Sequence, residues 1–233
     1  MKKTKLILLH GWAVDKENRQ KWQPLIKRLQ QEEIEAEFLP LPGLSQPLDQ
    51  VWTLNDYAQW VIKQLPNQPV GLLGHSFGGQ LAIRLAAQYP EKFTNLVLID
   101  SSGVRDYSLG KRIKRAGFAS LAKVGKIFTK SDLARKVLYK LAGEKDYLQA
   151  DLILRQTMAN MISTDIQDEA SRIQVPTLII WGENDRVTPL WMGQRLARLI
   201  KNARIEIISQ ARHSPHFTHT DEITRIIAQY IIK

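Results

Sequence analysis

Val70-Gly71-Leu72-Leu73-Gly74-His75-Ser76-Phe77-Gly78-Gly79 is a short apolar run that breaks into a glycine-rich turn around one serine. Gln80-Leu81-Ala82-Ile83-Arg84-Leu85-Ala86-Ala87-Gln88-Tyr89 follows with helical spacing and stops at Pro90. The reading is therefore strand, tight turn, helix, with G-x-S-x-G in the turn. A turn this sharp forces Ser76 into a strained backbone conformation. Gly74 and Gly78 are expected because a Cβ at either place would strike the neighbouring strand or helix. The strain lifts Oγ clear of the sheet, and the amino end of the helix points free N–H groups at the same spot. The plain alternative is a glycine-rich turn that holds a serine by chance. A nucleophile needs a histidine, an acid and a second oxyanion donor from elsewhere in the chain.

The 233 residues fit one domain, or one domain with an insertion. No apolar run approaches the length of a membrane span. Leu6-Ile7-Leu8-Leu9, after the basic Met1 to Lys5, is too short for a secretion signal and reads as a buried strand, so a cytoplasmic protein is expected. There is no cysteine, which excludes a disulfide framework, a thiolate nucleophile and a cysteine metal site. The net charge of +10 suggests anionic partners or substrates.

Outward from the turn, short apolar runs alternate with helical patterns. Lys5–Leu9, Glu35–Leu39, Leu96–Ile99, Pro176–Trp181 and Arg204–Ser209 read as strands. Helices are expected over Glu17–Gln31, Thr53–Leu65 with Thr53 as cap, Thr188–Ile200 opened by Thr188-Pro189, and Thr220–Ile232. Between Arg105 and Ile173 the alternation breaks. That stretch reads as helices over about 109–128, 131–142, 146–162 and 164–173. The pattern predicts a mostly parallel sheet of about six strands, each buried on both faces by helices, with a helical insertion. The division expected is a core of 1–104 and 174–233 and a helical lid of 105–173. In such a sheet the site lies at the carboxyl ends of the strands.

His10-Gly11-Trp12, Gly74 to Gly79, Gly182-Glu183-Asn184-Asp185-Arg186-Val187-Thr188-Pro189 and His213-Ser214-Pro215-His216 together resemble the α/β-hydrolase family, of the serine esterase type. The resemblance covers nearly all of the chain outside the insertion. Its order, Ser then Asp then His, is that of the family. It implies Ser76 as nucleophile, His213 as base and Asp185 as the acid that orients the imidazole. Asp100, after the fourth strand, is the rival acid, because some members place it there. The plain alternative for Asp185 is a loop aspartate in an Asx turn. Backbone N–H groups of Trp12 and Phe77 would form the oxyanion hole. His10 is expected to shape its turn without titrating, and His216 and His219 to lie near the site. His213-x-x-His216-x-x-His219 is not a standard zinc spacing, so no metal and no cofactor are expected. The chain differs from the family at Arg212, where glycine is usual, at Pro40, where an acid is common, and in lacking two leading antiparallel strands.

The implied activity is hydrolysis of carboxylic esters, with thioesters as a variant, through an acyl-enzyme on Ser76. Two rivals stand beside it. One is hydrolysis of a carbon–carbon bond in a vinylogous diketone, or a related lyase reaction, with the same triad. The other is a ligand-binding relative without turnover. Met158 and Met161 read as core, with the pocket wall as the alternative. Residues 105–147 hold twelve Lys/Arg against four acids. They form either a solvated basic face or a patch that recruits an anionic substrate or an acidic carrier protein, as in the pimeloyl-carrier methyl ester esterases of this family. No nucleic-acid motif accompanies these charges.

Overall fold

The computed structural model describes residues 4–12, 18–106 and 152–232. Six strands form one sheet: β1 (Thr4–Leu9), β2 (Ile34–Leu39), β3 (Val70–His75), β4 (Phe93–Ile99), β5 (Thr177–Gly182) and β6 (Ala203–Ile208). Their order across the sheet is β2-β1-β3-β4-β5-β6, and every neighbouring pair is parallel. The described helices are α1 (Asn18–Gln31), α2 (Leu54–Gln64), α3 (Phe77–Gln88), α4 (Leu152–Ser163), α5 (Gln167–Ser171), α6 (Trp191–Leu199), α7 (Pro215–Thr218) and α8 (Thr220–Ile231). After β2 the chain crosses back over β1 to β3 and then continues in the other direction. The carboxyl ends of β1 and β3 therefore flank the switch point, where open sheets of this type leave a crevice.

Alternate side chains of the central strands serve two cores. Leu6, Leu8, Leu73, Val97, Ile99, Leu178 and Ile180 face α1 and α8, which supply Trp22, Leu25, Ile26, Leu29, Ile223 and Ile227. Ile7, Leu9, Leu72, Leu96, Leu98, Ile179 and Trp181 face the other way, toward α2, α3 and α6. Each large side chain fully buried in this way contributes about 1.5–3 kcal/mol, before the entropy of ordering it. α2 starts as its sequence predicts. The Thr53 hydroxyl accepts from the Asp56 N–H, and the Asp56 carboxylate accepts from the Thr53 N–H.

Burial on both faces holds for the inner strands and fails at the two edges. β2 alternates, with Ile34, Ala36 and Phe38 inward and Glu35 and Glu37 exposed. In β6, the last strand in the sheet order, Ile207 is 46% exposed, while Ile208 on the opposite face is buried in the core with α8. The helix expected from Thr188 begins only at Trp191, and its cap position is Leu190. Thr188 is engaged elsewhere, as described below.

Of the expected insertion, 107–151 lies outside the described residues, including the helices expected over 109–128 and 131–142. Its end packs on the core. Leu154, Met161, Ile166 and Ala170 join the α3 side. Gln80 of α3 donates to the Met161 and Thr164 carbonyls, and Arg84 pairs with Glu169 at 2.5 Å. Among the described residues no helix is long and apolar enough to cross a membrane.

Candidate active site

Ser76 stands between β3 and α3 with φ 53° and ψ −115°, a conformation that costs an L residue on the order of 1–3 kcal/mol. The surrounding bonds hold it there. Its N–H donates to the Ile99 carbonyl at 3.0 Å, and its own carbonyl accepts from Ser102 N–H at 3.0 Å. The two glycines are required by distance. A Cβ on Gly74 would lie 2.3 Å from the Gly78 carbonyl oxygen, and one on Gly78 would lie 2.0 Å from that of Leu9. Only bare Cα atoms let β1, β3 and the first turn of α3 approach this closely.

The turn presents Ser76 Oγ to His213, on the loop between β6 and α7. Oγ lies 3.0 Å from Nε2 of His213. Nδ1 of the same ring lies 2.8 Å from Oδ2 of Asp185, in the loop after β5. Three strand ends, 137 residues apart in sequence at the extreme, thus meet in one hydrogen-bonded line. The Asp185 carboxylate does two jobs with its two oxygens. Oδ1 accepts from the N–H groups of Val187 (2.7 Å) and Thr188 (3.1 Å), which is the Asx turn itself. Oδ2 accepts from the Thr188 hydroxyl at 2.6 Å and from His213. The loop reading and the functional reading of Asp185 are one arrangement. Burial alone would raise this carboxyl. The hydrogen bond and charge of His213, with the donors from Thr188 and Val187, outweigh it and hold the group below the usual carboxylate range.

Ser76 opens into a cavity of about 430 Å³ whose wall is mainly apolar, including Trp12, Phe77, Met158, Met161 and Met192. Met158 and Met161 are both buried, so they serve as core and as wall. The Trp12 and Phe77 rings meet edge-on at 5.6 Å beside the serine. Phe77 is the first residue of α3, and helix geometry leaves its N–H without an intrahelical acceptor. Trp12 follows β1 across the switch point.

A model of the alpha/beta hydrolase fold matches residues 5–220. The chain belongs to the α/β-hydrolase family. It is 28% identical over 255 residues to a pimeloyl-[acyl-carrier protein] methyl ester esterase of Shewanella woodyi, covering 98% of this chain and 94% of that protein. It is 26% identical over 254 residues to the biotin biosynthesis bifunctional protein BioHC of Teredinibacter turnerae; there it covers 97% of this chain and spans only 44% of the relative's length. Among solved structures, the enol-lactonase from Burkholderia xenovorans superposes with a TM-score of 0.72 at 18% identity, over 100% of this chain and 93% of that one.

Around its Ser–His–Asp line this α/β hydrolase packs further titratable groups. Asp100, the rival acid, is fully buried at the end of β4 with φ 44°. Its Oδ1 accepts from Gly182 N–H at 2.8 Å, and its Oδ2 has no partner among the described residues. Burial, followed by the charge of Asp185, pushes its carboxyl up to about 8 against the pull of that N–H. It therefore carries its proton at neutral pH. His10 is buried, and its Nε2 accepts from Leu41 N–H at 3.1 Å, so the proton sits on Nδ1. Burial lowers it to about 4, against the Gly11 carbonyl. It shapes the turn, as the sequence predicts. His216 is buried against Trp22 at 4.5 Å and has no partner at either nitrogen among the described residues. His219 meets the Thr218 hydroxyl at 2.8 Å, away from this line.

His75 was not singled out from sequence, because it fills the unspecified position of G-x-S-x-G. It is buried, and its Nε2 lies 2.8 Å from the His213 carbonyl. Ring nitrogens of His75 and His213 and a carboxylate oxygen of Asp100 lie within 4.8 Å of one another, a grouping with metal-ligand chemistry. Both His213 nitrogens and the His75 Nε2 are already committed to protein partners, so a cation there would have to dismantle the line.

Proposed function

We propose that this α/β hydrolase cleaves carboxylic esters through an acyl-enzyme on Ser76. The observation that carries the reading is the line Ser76 Oγ–His213 Nε2 at 3.0 Å and His213 Nδ1–Asp185 Oδ2 at 2.8 Å, opening on an apolar cavity. Asp185 accepts the Nδ1 proton and leaves Nε2 bare toward the serine. As Oγ attacks the ester carbonyl, Nε2 takes its proton and the imidazolium is steadied by Asp185. Negative charge grows on the carbonyl oxygen, where backbone N–H groups of Trp12 and Phe77 receive it. Each such donor lowers the barrier by roughly 3 kcal/mol. The alcohol then leaves with the proton from Nε2. Water repeats the sequence in reverse and frees the acid. These steps need neither metal nor organic cofactor.

The substrate we favour is an acyl ester whose far end is anionic or held by an acidic carrier protein. Support comes from the relative named for a pimeloyl-[acyl-carrier protein] methyl ester, and from the twelve Lys/Arg of residues 105–147. The same reading sets the protein in the cytoplasm. Ser76→Ala should reduce turnover of p-nitrophenyl and methyl esters by at least about a thousandfold, and a phosphonate probe should label wild type at Ser76 only. Undiminished hydrolysis by Ser76→Ala would overturn the reading. For a carrier-bound ester, kcat/KM should fall as salt rises past about 0.1 M, while a small neutral ester is unaffected. Equal salt responses would remove the carrier from it.

A further inference from the structure

His75 belongs to β3 and is followed directly by Ser76. Its side chain reaches three parts of the site at once. Nε2 lies 2.8 Å from the His213 carbonyl, which can only accept, so Nε2 carries the proton and donates. Nδ1 faces the turn after β1: a Cβ added to Gly11 would lie 2.8 Å from it. Behind it, the His216 ring packs at 4.3 Å, and the His213 ring lies at 5.0 Å. Burial, followed by the proximity of His213, pushes His75 down to about 3, so the ring stays neutral beside the base.

The two holds on the His213 side chain, Asp185 and Ser76, fix where the ring points. Neither fixes the main chain that carries it. We propose that His75 is the positioning residue that does so, tying the base loop and the Gly11–Trp12 turn to the nucleophile's own strand. The need is physical. Three segments from distant parts of the chain must agree to a fraction of an ångström, and a misplacement of about 1 Å can cost roughly a hundredfold in rate. A rigid neutral ring on the residue preceding the nucleophile transmits the elbow's position to both of the others.

This inference rests on the esterase reading, and one set of variants separates their failures. His75→Gln keeps an N–H near the Nε2 position. His75→Asn carries the same amide one methylene short, and His75→Phe keeps the ring without the donor. The expected result is a fall in kcat of ~100-fold for the Phe and Asn variants, with KM within about threefold and phosphonate labelling of Ser76 slowed in parallel. His75→Gln should recover to within about tenfold of wild type at a similar Tm. Equal kcat in the Gln and Asn variants, or wild-type kcat in a folded Phe variant, overturns the positioning role. Should the Phe variant fail to fold, the Gln and Asn pair decides alone. Ser76→Ala, run beside them, tells which claim has failed: if it stays active the esterase reading falls, and if it is dead while the His75 variants are normal, only the role of His75 falls.

Discussion

Asp185 and Asp100 are the same side chain at the ends of adjacent strands, and the protein holds them in opposite states. Asp185 receives four hydrogen bonds, from Val187 N–H, Thr188 N–H, the Thr188 hydroxyl and His213, and stays ionised. Asp100 receives one, from Gly182 N–H, and is held neutral by burial and by the charge of Asp185 itself. The number of donors decides which carboxylate can remain charged out of water. One negative charge beside the imidazole is stabilised, and a second at that distance is suppressed by the first. The two acids therefore divide into a partner for His213 and a buried, proton-bearing end to the β4–β5 pairing.

The sharpest way to break this division is to remove each charge in turn. Asp185→Asn keeps the Oδ1 acceptor that builds the Asx turn, so the loop should fold. It presents a wrong group to Nδ1 and should reduce kcat by up to ~10⁴-fold. Asp100→Asn exchanges a neutral acid for a neutral amide and should leave kcat within about threefold, since no charge is lost. Steady-state kinetics on one p-nitrophenyl ester measures both. If the Asp100 variant were the more damaged, with both folded, the acid would belong to β4 and the line through Asp185 would be incidental.

Thr188 tests the donor count more gently. Its hydroxyl gives Asp185 Oδ2 a 2.6 Å bond and lies 3.2 Å from His213 Nδ1. Thr188→Val keeps the shape and the backbone N–H to Oδ1, and removes one donor to a charged group. Such a bond is worth about 1.5–3 kcal/mol, so kcat/KM should fall roughly ten- to a hundredfold, well short of the Asp185→Asn loss. An unchanged rate would mean that the backbone donors and His213 suffice to hold the carboxylate.

Thr188 also shows where sequence reading reaches its limit. Thr-Pro ahead of an apolar pattern has the form of a helix start, yet the helix begins at Trp191 and the hydroxyl turns to Asp185. Local pattern cannot tell a cap from a partner across a loop, because both use the same oxygen. The strand–turn–helix around Ser76 was legible because glycine spacing and apolar period fix it locally. The strand run was legible for the same reason, and the Ser–Asp–His order through the resemblance to the α/β-hydrolase family. His75 was not, since its partner is a main-chain carbonyl 138 residues away that no side-chain pattern announces. The exposed edge at β6 was missed because Ile205, Ile207 and Ile208 spell a buried strand, and only the sheet order shows that β6 is the last strand among the described residues.

The last effect expected is on stability, and its sign follows from Asp100 alone. In the folded protein this carboxyl titrates at about 8, against 3.8 for an ordinary aspartate. Between those values the folded chain holds a proton that the unfolded chain has released. Stability contributed by Asp100 is thus fully present below pH ~4 and is lost as pH rises to ~8, by up to about 1.4 kcal/mol per pH unit. An amide cannot titrate, so Asp100→Asn removes that slope. Asp185 is ionised in both proteins above pH ~5 and cancels in the comparison. Calorimetric Tm values of wild type and Asp100→Asn should therefore separate steadily between pH 5 and 8 in favour of the variant, then run parallel above. For a chain this size each kcal/mol is about 2–4 °C, so a gap several degrees wider at pH 8 than at pH 5 is expected. Parallel curves across the whole range would mean that Asp100 is ionised in the fold, and the contrast between the two acids would collapse.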